Sequence, residues 1–515
     1  MTATTEQTQP QSAPTVLIVG AGPTGLTLAY ELARRDVSFR LIEASPGPQR
    51  GSRGKGIQPR TLEVFEDLGI VDRVLANGRM AMPIRSTDPD GQVTLGGGAP
   101  EALSNRPDIP YTASLITPEW RIEETLRLRL AELGGAVEFG TALERFEQSD
   151  EAVTAYVIAN GTAETITARW LVGSDGGHSI VRKQSGITFE GETLDEVRML
   201  VADVEVDGLD RDAWHMWRHH DGSASLAPLP STDVFQFQAS ITAGQNAELS
   251  LENMQAILNQ RSGRTDIRLH EPEWSTLWRA NIRLVDRYRE GRVFLAGDAA
   301  HIHSPAGGQG MNTGIQDAHN LGWKLAAVAN GTASPTLLDS YGAERRPVAS
   351  GVLELSNARL TQAMQQKGIS TRRDASTIQL NVGYRGSVLA RDDRDDTASL
   401  RAGDRAPDAT GLTTPHGERR LFELTRGGLF TLLAFGNAPA LEASPLDAPL
   451  VEFRTLRVVS HLTGPDDIID TEGYLASAYG ASDSTLVLIR PDGYVGLISD
   501  AGDISDVSRY LSALG

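Results

Sequence analysis

The stretch that most constrains this 515-residue chain is Gly20-Ala21-Gly22-Pro23-Thr24-Gly25. It joins an apolar, β-branched run at 15–20 to a segment, 26–35, in which Leu26, Leu28, Ala29, Leu32 and Ala33 recur at helical spacing. A run such as Val16-Leu17-Ile18-Val19 suits a strand buried on both faces. A second strand is expected at 38–43, which completes a strand–helix–strand crossover and with it a parallel sheet. The three glycines serve different ends. Gly20 permits the tight turn, Gly22 admits a pyrophosphate to the backbone, and Gly25 brings helix and strand close. Glu43 ends the second strand 18 residues beyond Gly25, where a carboxylate can accept both ribose hydroxyls of an adenosine. A glycine motif alone would be weak evidence; strand, helix and acid together read as a dinucleotide site.

Two later stretches carry a related signal. Gly173-Ser174-Asp175-Gly176-Gly177-His178-Ser179 closes an alternating run at 165–172, expected as an antiparallel or edge strand. Gly297-Asp298-Ala299-Ala300-His301 follows a buried strand at 293–296. It leads through His303, Pro305, Gly307, Gly308, Gly310, Met311 and Asn312 into a helix expected at 314–329. An aspartate at the carboxyl end of a parallel strand stands where open sheets bind ligands. Accepting a ligand hydroxyl there, Asp298 would contribute on the order of 1.5–3 kcal/mol.

These motifs, in this order, resemble those of the class A flavoprotein monooxygenases, the family of para-hydroxybenzoate and phenol hydroxylases. The resemblance implies an α/β fold: an FAD-binding Rossmann-like domain of the glutathione reductase type with an inserted α+β substrate domain. It implies that Gly20, Gly22, Pro23, Thr24 and Gly25 surround the FAD pyrophosphate and that Glu43 holds the adenosine ribose. Asp175 would touch FAD in a motif also implicated in nicotinamide binding. Gly297 and Asp298 would hold the ribityl chain, and Pro305, Gly307, Gly308, Gly310, Met311 and Asn312 would run along the isoalloxazine. Ser52-Arg53-Gly54-Lys55-Gly56-Ile57-Gln58-Pro59-Arg60 resembles the family's arginine loop, which sets Arg53 near the flavin and phosphates. Arg121 falls where the family places Arg or Gln against the FAD chain; an ordinary surface ion pair is the alternative for either arginine. By the same resemblance NAD(P)H is a transient co-substrate that reduces FAD, and oxygen reaches an electron-rich aromatic carbon through a flavin C4a-hydroperoxide. The backbone of Pro305 would lie near that peroxide.

The expected organisation is a loose polar tail over 1–14 and an FAD-binding domain assembled from 15–82, 111–186 and 290–395. A substrate domain is expected from 83–110 and 187–289, and a third unit at 403–515. Within these, 83–110 is too rich in Pro and Gly to assign, a helix at 121–133 is expected with Thr117 as its cap, and 391–396 reads as a solvated loop. In the third unit, Gly403-Asp404-Arg405-Ala406-Pro407-Asp408, the strand at 430–435 and Arg490-Pro491-Asp492-Gly493-Tyr494 resemble the thioredoxin-like C-terminal domain of the phenol hydroxylase branch, which includes many aromatic polyketide hydroxylases. The chain has no cysteine, so this domain cannot perform dithiol chemistry and a structural or homodimer-forming role is expected.

Composition narrows the remaining classes. Basic residues number 48 and acidic ones 67, a net charge of −19 that repels nucleic-acid phosphates and anionic lipid. The missing cysteines remove disulfides, iron–sulfur clusters and thiolate metal sites, and no metal is expected. No apolar run is long enough to cross a bilayer and the first residues do not read as a signal peptide, so a cytoplasmic protein is expected.

The substrate side is less legible. Period-two alternation at 233–241 puts Phe235, Phe237 and Ala239 on one face and Gln236, Gln238 and Ser240 on the other. If the aromatic face looks toward the flavin the pocket is apolar; otherwise Phe235 and Phe237 are core. No arginine lies between Ser223 and Ile241 to anchor a carboxylate, which favours a neutral phenolic or polycyclic aromatic substrate. Trp217 is a substrate candidate, although Trp214 and Trp217 also fit a packed helical face and His219 and His220 a solvated loop. His301 and His303 flank the flavin loop as structural histidines or a general base. Baeyer–Villiger-type oxygen insertion, and a non-catalytic flavin- or substrate-binding role, are alternatives to hydroxylation. The WxWxIP motif of flavin halogenases does not occur.

Overall fold

The computed structural model describes residues 14–242, 244–304, 308–365, 377–394, 398–436 and 452–515. Apart from Pro14 the expected tail lies outside them, as do Pro305 and Gly307 of the third motif.

The first motif's strand sits inside a six-stranded sheet. Its order in space is Arg289–Glu290, Val293–Leu295, Trp170–Gly173, Val16–Val19, Phe39–Glu43 and Val137–Phe139, parallel except at the Arg289–Glu290 edge. Consecutive strand residues point to opposite faces, so the burial of all four residues of Val16–Val19 means that both faces are covered. The helix Pro23–Ala33 packs on both Gly310–Ala329 and Glu119–Glu132. Two expectations need correction here. The run at 165–172 is two strands: Thr162–Ala168 joins an antiparallel sheet with Thr141–Gln148 and Val153–Ala159, whereas Trp170–Gly173, buried throughout, turns to run parallel beside Val16–Val19. Thr117 is not a helix cap; its hydroxyl donates to the Asn77 carbonyl, and Pro118 takes the cap position.

The inserted sheet has nine strands built around Phe189–Asp207, which Val234–Ile241 and Trp274–Val285 flank in antiparallel register. Ile84–Thr87 and Val93–Gly96, from the stretch that looked irregular, extend it beyond Trp214–His219. Trp214–His219 is therefore a strand rather than a helical face, and His220 stands in the turn that follows it. Helix Leu251–Ser262 covers one face of this sheet, where Leu200, Ala202, Val204, Phe235 and Phe237 pack against Met254 and Leu258.

The C-terminal sheet has the thioredoxin-like arrangement. Phe430–Phe435 lies between a parallel neighbour, Phe453–Val458, and an antiparallel one, Leu486–Ile489. Arg391–Asp392 was expected in a solvated loop of the FAD-binding domain. It instead pairs with Leu497 and Ile498 as an edge strand of this sheet, Asp392 holding Arg394 and Arg401, so the unit begins before 403. One face of the sheet closes its own core; the other, carrying Phe430, Leu432 and Leu488, continues the core of the FAD-binding domain. Phe430 meets Trp323 edge-on with 5.6 Å between ring centroids. Beside it lies a buried ion cluster in which Arg490 donates to both Glu344 oxygens at 2.6 and 2.9 Å and to Asp492 at 2.6 Å, while Lys324 donates to Glu344 at 2.7 Å.

Removing one member of such a cluster strands the others without water. Arg490→Met should lower unfolding stability by about 3–5 kcal/mol, read as a lower denaturation midpoint; an unchanged midpoint would contradict the packing described. Burial alone would raise the Glu344 carboxyl, but Arg490 and Lys324 hold it well below its ordinary value; Arg34, Arg35 and His319 do the same for buried Glu31. Both carboxyls thus bind protons more weakly folded than unfolded. Their contribution is present above the unfolded value of 4.5 and lost as pH falls below it. Thermal midpoints should drop between about pH 5 and about pH 3, and a flat profile would count against this.

Candidate cofactor and active site

Close glycine contacts show that the three motifs converge. Gly20 has φ +100°, and a Cβ there would lie 2.4 Å from the Ser174 carbonyl oxygen, so the first motif rests on the second. A Cβ at Gly25 would lie 1.9 Å from the Gly20 oxygen, the close helix–strand approach expected of that position. Thr24 Oγ1 would stand 2.6 Å from a Cβ on Gly297 and 2.4 Å from one on Gly314, which brings the first motif against the third. The second and third meet where a Cβ on Gly177 would lie 2.5 Å from Ile302. Gly22 differs. It caps the helix that Pro23 begins, and no atom lies within 4 Å of its Cβ position. That leaves a gap at a helix N-terminus, where anions are favoured.

Two carboxylates face this region. Glu43 accepts the Ala21 N–H at 3.0 Å and the Ser45 N–H at 2.9 Å, which fixes it beside the glycine turn. Asp298 is open to solvent on the floor of the cleft, and among the described residues none donates a hydrogen bond to it. The surrounding protein raises its carboxyl above the ordinary range, while the charges of His301 and Arg53 pull it back. Arg53 acts in the same way on Glu119, whose Oε2 accepts the Gly54 N–H at 2.6 Å. The arginine loop therefore overhangs the cleft that Asp298 floors. Glu119 carried no signal beyond its place at a helix start.

Several expected ligand residues have protein partners. Asn312 clamps the flavin loop to the arginine loop: its Oδ1 accepts the Gln58 N–H at 2.8 Å and its Nδ2 donates to the Gly56 and Gly308 carbonyls at 2.9 and 3.1 Å. Gly308, at φ +61°, makes the turn, Gly310 starts the following helix, and Met311 lies 3.3 Å from a Cβ on Gly54. Asp175 Oδ2 accepts the N–H groups of Ile180 and Val181, while its buried Oδ1 has no partner among the described residues. Arg121 pairs with Glu124 at 2.7 Å, reaches the Ser231 carbonyl and stacks on Trp120.

Behind the cleft, Asp317 accepts from Gly297 N–H at 3.1 Å, pairs with His301 Nε2 at 2.6 Å and takes Arg345 Nε at 2.7 Å. All three side chains are buried. His303, 4.9 Å from His301 between ring centroids, is driven well below its ordinary pKa by burial and by His301, so it stays neutral.

The inserted sheet turns toward the arginine loop the side opposite to that of Phe235 and Phe237. Phe235, Phe237 and Trp217 belong to the core under helix Leu251–Ser262, and the structure does not bring them to the cleft. Their odd-numbered register points away because the even positions carry the polar contacts. Gln236 stands opposite Asp203, and Asp203 opposite Trp274. The arginine loop lies across that row. A Cβ on Gly51 would touch the Trp274 ring at 2.7 Å, the Ser52 N–H donates to Asp203 at 2.8 Å, and Gln236 Nε2 donates to the Ser52 carbonyl. Lys55 donates to Gln236 Oε1 and lies over the Trp214 ring, 4.3 Å from its centroid.

An FAD binding domain family model matches residues 13–356, and an aromatic-ring hydroxylase C-terminal model matches 399–514. The chain belongs to the FAD-dependent aromatic-ring hydroxylases. A flavin-dependent monooxygenase of Mycobacteroides abscessus is 43% identical to this hydroxylase over 97% of the chain and 99% of its own length. Pentachlorophenol 4-monooxygenase of Sphingobium chlorophenolicum is 35% identical over 93% of each. The crystal structure of aklavinone-11 hydroxylase with FAD and aklavinone superposes with a TM-score of 0.84 at 27% identity, covering 98% of this chain and 99% of that one. The hydroxylase is thus a flavoprotein monooxygenase with FAD as cofactor and NAD(P)H as co-substrate.

The residues present suit FAD: an open gap at Gly22 over a helix N-terminus, a fixed carboxylate at Glu43, and an unpartnered one at Asp298. This hydroxylase should therefore respond differently to two alanine substitutions. Gly22→Ala should keep the apoprotein's denaturation midpoint but weaken FAD binding by roughly tenfold or more, since its methyl group enters the phosphate gap. Gly25→Ala should fail to fold stably. Equal behaviour of the two would contradict the geometry. Asp298→Ala should weaken FAD binding by roughly ten- to a hundredfold, measured by flavin fluorescence on titration; wild-type affinity would remove its proposed role.

Proposed function

We propose that this hydroxylase places one oxygen atom from O2 on an electron-rich carbon of a phenolic or polycyclic aromatic substrate. The observation that carries the reading is the cleft between two elements that different motifs supply. Asp298, Arg53 and Met311 stand together on one side, and the arginine loop that carries Arg53 is packed by its other residues on the Gln236 face of the inserted sheet. Relatives named for pentachlorophenol and aklavinone support an aromatic substrate.

Bound FAD would supply the redox chemistry and the activation of oxygen; the protein's part is placement and dryness. Gly22 and the helix behind it hold the phosphates, Glu43 the adenosine ribose and Asp298 the ribityl hydroxyls. Asn312 keeps the flavin loop in register with the arginine loop, so that neither moves without the other. Asp203 and Gln236 pin the arginine loop to the sheet through Ser52. Neutral His303, with a buried Nε2 lacking a partner among the described residues, adds no charge beneath the loop. A single dinucleotide fingerprint supports a nicotinamide that visits rather than stays. The nicotinamide reductant supports a cytoplasmic setting, and no helix among the described residues is long and apolar enough to cross a membrane.

The test is consumption of NAD(P)H and oxygen by the purified yellow protein across a panel of phenols and hydroxylated polycycles. At least one should accelerate NAD(P)H oxidation several-fold and gain one oxygen by mass. A flavin-loaded protein that no aromatic compound accelerates would point instead to a binding role.

A further inference from the structure

The strand Val234–Ile241 carries no arginine, yet the seam between it and the arginine loop holds a cation. Lys55 comes from the arginine loop. Its neighbours Gly54 and Gly56 lie against Met311 and Asn312 of the flavin loop, while its own side chain crosses to the sheet. Only 8% of the residue is exposed. The ammonium donates to Gln236 Oε1, which also accepts from Gln238 Nε2 at 2.8 Å, and it lies over the Trp214 ring. Trp214 in turn lines a small cavity with Met82, Ile84, Ala113, Ile116 and Ile378, and its buried indole N–H has no partner among the described residues. A positive charge, an aromatic face and an unsatisfied donor are thus gathered beside an apolar pocket. Asp203 is within electrostatic reach of Lys55 and itself senses Glu273.

We propose that Lys55 is a specificity-determining residue whose ammonium, placed between the flavin loop and the Gln236 face, binds an ionised phenol or enol oxygen of the aromatic substrate. This rests on the hydroxylase reading above and names the substrate's ionisation state. A phenolate fits better than a carboxylate because lysine offers a point charge, whereas a carboxylate is matched by the planar fork of arginine. The same ionisation enriches the ring carbons ortho and para to the oxygen, the positions that an electrophilic oxygen attacks.

The flavin-loaded enzyme can be tested with alizarin, which has an ionisable phenol, with anthraquinone, which has none, and with anthraquinone-2-carboxylate. Wild type should bind alizarin more tightly than anthraquinone, and bound alizarin should show its anionic absorption at a lower pH than free alizarin, because a nearby cation favours the anion. Lys55→Met should weaken alizarin binding by roughly ten- to a hundredfold, leave anthraquinone binding little changed and abolish the spectral shift. Lys55→Arg should keep the shift. The wild-type spectral titration stands alone if Lys55→Met loses flavin. Wild type that binds alizarin no better than anthraquinone, that binds it as the neutral phenol, or that favours the carboxylate overturns the assignment. Turnover of other phenols in that case leaves the hydroxylase reading intact.

Discussion

The cofactor cleft depends on one buried carboxylate. Asp317 gathers the Gly297 N–H, His301 and Arg345, and Arg345 passes the connection to the Thr313 carbonyl and the Tyr384 hydroxyl. The turn that presents Asp298 is thereby tied to the helix Gly310–Ala329, to the helix Asp339–Gln365 and to the segment leading into the C-terminal sheet. A charge taken out of water is tolerated only when such partners surround it. Here burial would raise the Asp317 carboxyl, and His301 and Arg345 outweigh it. Anything that loosened this centre would move Asp298 and the flavin loop together.

From that fixed floor the rest of the site follows as docking of one domain on another. The arginine loop belongs to the FAD-binding part of the chain, yet its Ser52 is held from both sides by Asp203 and Gln236 of the inserted sheet. It thus acts as a seam, with Asn312 of the third motif on one side and the inserted sheet on the other. The C-terminal unit contributes from the far side. It packs Phe430 on Trp323 of the helix that begins at the flavin loop and closes the buried Glu344–Arg490 cluster.

The parts legible in the sequence are those whose chemistry is local. A glycine that must turn at positive φ, or a helix that must start beside a phosphate, leaves its mark within a few residues, as Gly20, Gly22 and Gly25 do. Asp298 is legible because a strand end fixes where its side chain goes. The substrate side is not, because alternation at Phe235 and Gln236 reveals two faces without saying which one a distant helix will cover. Lys55 is hidden for a related reason. It lies within a motif read for Arg53, and its meaning depends on Gln236, 181 residues away. Trp170–Gly173 escapes a local reading because a central parallel strand and an antiparallel hairpin strand adjoin without a break in pattern.

Turnover of the FAD-loaded enzyme under heavy-isotope dioxygen, with the product analysed by mass spectrometry, tests whether motifs far apart in sequence close one dry cleft in which FAD and an aromatic substrate meet oxygen. A hydroxylated aromatic product carrying one heavy oxygen atom per molecule is expected. Product oxygen drawn from the solvent, or reductant consumed with no labelled product from any aromatic compound, would contradict it.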